Sequence, residues 1–100
     1  MKKPETLLKD RMMEQGRKRG AVIEKLHGSR AQRRGIGDFL ICHHGIWINV
    51  EVKIPGESLR SDQVRWIAEV EAAGGTVPVV ETMAEFHAVL DRMEQHGDQH

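Results

Sequence analysis

The sequence predicts an α/β fold, a mixed four-stranded sheet covered by helices in the order α-β-β-β-α-β-α. Two observations predict it. Residues 46–54 alternate strictly, with Ile46, Ile48, Val50, Val52 and Ile54 on one side and Trp47, Asn49, Glu51 and Lys53 on the other. The helical stretch that follows is long enough to carry the chain across to a parallel fourth strand, whereas the first three strands suit an antiparallel meander.

Pro4 sits where the first turn of a helix tolerates a missing N–H, and Glu5, Leu8, Met12 and Gln15 recur at helical spacing. Gly16, the basic run Arg17–Arg19 and Gly20 mark the expected stop. Residues 21–27 read as a short strand, and Gly28–Gly37 as a loop carrying Arg30, Arg33 and Arg34. Asp38–Cys42 is a second, apolar strand, joined by His43-His44-Gly45 to the long strand that Pro55-Gly56 ends. Residues 61–73 place Gln63, Trp66, Ile67 and Val70 on one helical stripe, with Ser58 or Ser61 as cap, and Gly74-Gly75 stops them. Thr76–Val80 is a further β-branched run. Thr82 and Glu85 form a capping-box pattern before a last helix that buries Met83, Phe86, Leu90 and Met93.

One hundred residues, 39% hydrophobic and 30% charged, with no signal-like or membrane-spanning stretch, describe one small soluble domain over residues 1–100. The single cysteine, Cys42, excludes an internal disulfide and argues against a paired-cysteine zinc site, so a cytoplasmic setting is expected. A core this thin is naturally supplemented by a dimer contact. The zero net charge hides an asymmetry. Residues 1–35 hold eleven Lys/Arg against four Asp/Glu, and residues 36–100 the reverse. A basic segment ahead of an acidic body suits a phosphate-attracting edge beside a cation-attracting pocket, unless both sets simply face water.

Glu51-Val52-Lys53 is the most informative local feature. The two-residue repeat brings Glu51 and Lys53 out side by side, and antiparallel pairing carries Asp38 toward Glu51. Two converging carboxylates repel unless a proton or cation lies between them. An all-oxygen site suits Mg²⁺ or Mn²⁺, with the Val52 backbone carbonyl as a further ligand. Lys53 then either stabilises a phosphoryl charge or orients the attacking water. Gln63 either crosses to this site or stays solvated at its helix start. Glu5 either reaches the metal shell or simply suits the helix dipole. Lys25, His27, Arg30, Arg33 and Arg34 are candidates for a nucleic-acid backbone. Trp47 is expected to pack against the first helix. Cys42-His43-His44 with His27 lacks a second ligand pair, so a turn explains it better than a transition-metal site.

Gly35-Ile36-Gly37-Asp38, Glu51-Val52-Lys53 and Gln63, with Glu5 in the opening helix, resemble the VRR-NUC family of the PD-(D/E)XK nuclease superfamily, in its compact stand-alone phage and prophage form. Lys25-Leu26-His27-Gly28 and residues 56–63 are also similar to family segments, so the resemblance spans roughly residues 5–94 of the chain. It departs at Gly37, where the family commonly has proline. The resemblance implies a restriction-endonuclease-like core and a Mg²⁺-dependent endodeoxyribonuclease, with Mn²⁺ as substitute. It implies Asp38 and Glu51 as metal-binding carboxylates, Lys53 as catalytic lysine, Gln63 as the helix glutamine and Glu5 as the extra acidic residue. It also implies a homodimer acting on branched or flap DNA in a bacterial cytoplasm. Two alternatives stay open, a nuclease-fold DNA-binding module with little catalysis and a small-molecule phosphoesterase.

Overall fold

The computed structural model of the protein describes residues 1–26 and 33–97. The elements are α1 (Pro4–Lys18), β1 (Val22–Lys25), β2 (Phe39–His43), β3 (Ile46–Val52), α2 (Ser61–Ala72), β4 (Val79–Val80) and α3 (Met83–Gly97). The sheet runs β1-β2-β3-β4, with the first two pairings antiparallel and β3–β4 parallel. This is the α-β-β-β-α-β-α order and mixed sheet expected from the sequence.

The strict alternation of β3 sorts its two faces. Phe39 pairs with Val50 and Ile41 with Ile48, and this face packs under α1 and α3. Ile23, Phe39, Ile41, Val50 and Val52 meet Met12 of α1 and Phe86, Val89, Leu90 and Met93 of α3 in one core. Phe39 and Phe86 touch edge to face, their ring centroids 6.3 Å apart. The opposite face carries Asn49 and Glu51. There α2 is fastened by Trp66, whose indole N–H donates to Asn49 Oδ1 at 2.9 Å.

Several local expectations are corrected. Gly16 does not stop α1; it is buried inside a helix that continues to Lys18, and the turn comes at Gly20, whose φ is +92°. The hairpin between β2 and β3 is shorter than expected, because His43 still pairs with Ile46 and only His44-Gly45 turn. Both turn residues have positive φ, the arrangement that matches strand twist in a two-residue hairpin. The fourth strand keeps only two residues of the expected five, since Pro78 offers a carbonyl to Glu51 N–H but no N–H of its own. Arg60, rather than Ser58 or Ser61, is the N-cap of α2. Trp47 is 61% exposed on the face away from α1, so it does not pack into the core.

Candidate metal centre

Asp38 immediately precedes β2. Its neighbour Phe39 pairs with Val50, so the register continued by one position sets Asp38 opposite Glu51. The two carboxyl groups emerge on the same face of the sheet. Asp38 Oδ2 accepts the Val52 N–H at 2.8 Å. Glu51 is only 3% exposed, and burial, the Asp38 charge and the hydrogen bond to Asp38 push its carboxyl up to about 8. Lys53 and Lys9 only partly offset this.

The groups around the pair are donors and cations. Gln63 is oriented from both ends: its Oε1 accepts the Arg60 N–H at 2.8 Å and its Nε2 donates to Glu51 Oε1 at 2.9 Å. Lys53 is buried, with Nζ 3.8 Å from Glu51 Oε1. Lys9 of α1 places Nζ 2.6 Å from Asp38 Oδ1 and 3.3 Å from Glu5 Oε1. Burial works against its charge, but the hydrogen bond and charge of Asp38, supported by Glu5, raise its pKa above the ordinary lysine value. In this state an ammonium group compensates the carboxylate pair. Two juxtaposed carboxyls, that of Glu51 raised in proton affinity, in an oxygen-only donor set fit a hard divalent cation.

Asp38, Glu51, Lys53, Gln63 and Glu5 thus line one cleft of about 920 Å³, as do Arg33 and Arg34. Arg33 lies with its guanidinium carbon 5.1 Å from the centroid of the Trp66 ring and bonds Glu69, whereas Arg34 approaches Asp62 at 4.0 Å. Lys25 belongs to β1, opposite Phe39, and does not line the cleft. His27 and Arg30 lie outside the described residues. The sequence reading missed Lys9 and Arg60, both of which line the cleft. Glu5 and Lys9 look like an ordinary i,i+4 surface pair, and only the approach of Asp38 from the sheet distinguishes Lys9.

A second group lies at the other end of β2. His43, His44 and Glu94 each bring a ligand atom within 4.8 Å of the others, a cluster capable of coordinating a divalent metal. Five residues of strand, roughly 16 Å, separate His43 from Asp38. Here the Glu94 Oε2 atom already accepts His43 Nε2 at 2.9 Å and two Arg19 N–H groups at 2.8 and 3.2 Å. The His43 hydrogen bond, followed by that of Arg19, lowers the Glu94 pKa. The cluster is therefore already satisfied as an ion-paired clasp between β2, α3 and the end of α1.

No family model matches the chain, and no curated protein matches it. A solved structure described as "VRR_NUC domain" superposes on it with a TM-score of 0.73, covering 87% of this chain and 94% of that one at 24% identity. At that identity the likeness establishes the fold. Among the described residues no helix is long and apolar enough to cross a membrane.

Proposed function

We propose that the protein is a metal-dependent DNA endonuclease whose centre is the Asp38–Glu51 pair. The observation that carries this reading is the convergence of the two carboxyls beside a buried lysine, in a chain with the fold of a VRR_NUC domain. Asp38 and Glu51 would hold Mg²⁺ or Mn²⁺, with the Val52 carbonyl as a further ligand and Glu5 behind Lys9 at the margin. The bound ion supplies Lewis acidity to the scissile phosphate and acidifies water.

The chain's own groups do the rest. Lys53 Nζ, held beside Glu51, stands against the negative charge that grows on the phosphoryl oxygens. Gln63 fixes Glu51 in one orientation, so no reorganisation is required during reaction. Lys9 neutralises the Asp38 carboxylate and, from the cleft lining, would offer its positive charge to the nucleic-acid backbone. Arg33 and Arg34 extend that rim, with Lys25, His27 and Arg30 as further backbone contacts. Branched DNA is the proposed substrate, and a homodimer the proposed assembly. The dimer is supported by the cross-strand row Val22–Cys42–Trp47, in which exposed Val22 and Trp47 flank the half-buried Cys42, on the sheet face that also carries Glu51.

The test is Mg²⁺-dependent cleavage of linear, flap and four-way DNA by the native protein, Asp38→Ala and Lys53→Ala. The native protein is expected to cleave, with the branched forms preferred, and each variant to lose about 10²–10³-fold or more in rate. Native-like rates in both variants, or binding without cleavage by the native protein in Mg²⁺ and Mn²⁺, would overturn the reading.

A further inference from the structure

An asparagine in mid-strand needs an explanation, since its side chain is a poor strand former and a partly buried amide must find partners. Asn49 finds four. Its Oδ1 accepts the Gly37 N–H at 2.8 Å and the Trp66 indole N–H at 2.9 Å. Its Nδ2 donates to the Phe39 carbonyl at 2.9 Å and the Gly37 carbonyl at 3.2 Å. Two donors and two lone pairs are the full capacity of an amide. The orientation is also unique, because a flipped amide would set N–H against N–H at Gly37 and Trp66.

The two backbone partners are the residues on either side of Asp38. One side chain therefore grips the chain before and after the aspartate and leaves its carboxylate no freedom except rotation about its own bonds. Gly37 fits this grip in two ways. It supplies an N–H that Asn49 uses, and a Cβ there would lie 2.8 Å from both Asn49 Oδ1 and the Val50 carbonyl oxygen. Trp66 in turn lies one helical turn beyond Gln63, on the same face of α2. That helix thus steadies both carboxylates at once, Glu51 directly through Gln63 and Asp38 indirectly through Trp66 and Asn49.

We propose that Asn49, anchored by Trp66, is a positioning residue that presets Asp38 for metal capture, an inference that rests on the reading of Asp38 and Glu51 as the metal-holding pair. Removing it costs metal affinity before it costs the fold.

The experiment is calorimetric titration of Mn²⁺ into the full-length native protein, Asn49→Ala, Trp66→Phe and Asp38→Asn, without DNA, with thermal unfolding and the Mg²⁺ dependence of cleavage alongside. Asn49→Ala is expected to bind Mn²⁺ about 10- to 100-fold more weakly, the range for partners that orient metal ligands. Its cleavage is expected to recover as Mg²⁺ is raised. Trp66→Phe is expected to shift affinity in the same direction by less, and Asp38→Asn to recover at no Mg²⁺ concentration. Native Mn²⁺ affinity in Asn49→Ala, whatever its unfolding temperature, overturns the proposal. If Asn49→Ala fails to fold, native affinity in Trp66→Phe does the same. Native affinity in Asp38→Asn overturns the underlying reading instead, and this one with it.

Discussion

Glu51 and its immediate partners set the chemistry at the scale of single residues. A carboxyl raised to about 8 in the native state, against an ordinary value of 4.5, makes metal-free stability depend on pH with a definite sign. Below about pH 4.5 both folded and unfolded chains hold the proton, and the group contributes nothing. Between there and about 8 the unfolded chain ionises while the native one keeps its proton, so this group's contribution falls as pH rises and then levels off. In EDTA, Glu51→Gln is therefore expected to unfold at a progressively higher temperature than the native protein from pH 5 to pH 8. Identical pH profiles of the two proteins would contradict the burial and pairing of Glu51. Glu51 and Lys53 were legible because a strand repeats every two residues. Lys9 and Asn49 were not, because each acquires its role from a segment distant in the chain. Trp47 alternates with the site residues just as a buried side chain would, and nothing local reveals that it stays exposed.

The helices and strands came through in number and order, and their ends were less legible. Gly16 shows why. Beside a basic run, a glycine reads as a helix stop, yet α1 passes through it because another structure demands the small residue. A Cβ there would clash with Ile23 Cδ1 and lie 3.3 Å from the Phe86 ring, so the glycine is where α1 lies tightly against β1 and α3. Gly16→Val is expected to lower stability by about 1–3 kcal/mol through overpacking, read as a reduced urea midpoint. An unchanged midpoint would mean that this contact is slack. The same packing brings Arg19, at the end of α1, onto Asp91 and Glu94 of α3. Ion pairs closed over more than seventy residues leave no trace in local sequence pattern.

For the molecule as a whole, the topology follows from the sequence because its connections leave little choice. The hairpin turn fixes β2 against β3, and the α2 crossover makes β4 parallel to β3. The register that this hairpin imposes carries Asp38 to Glu51, so the fold itself assembles the acidic pair. It also sets the His43–His44–Glu94 cluster at the far end of β2, where Arg19 already answers the carboxylate. The two clusters are the rival places for a divalent metal, and one measurement separates them. Crystals grown with Mn²⁺ and measured for anomalous scattering are expected to show manganese at the Asp38 and Glu51 carboxylates, with the Lys9 ammonium moved off Asp38. Manganese bound by His43, His44 and Glu94, with none between Asp38 and Glu51, would contradict the account.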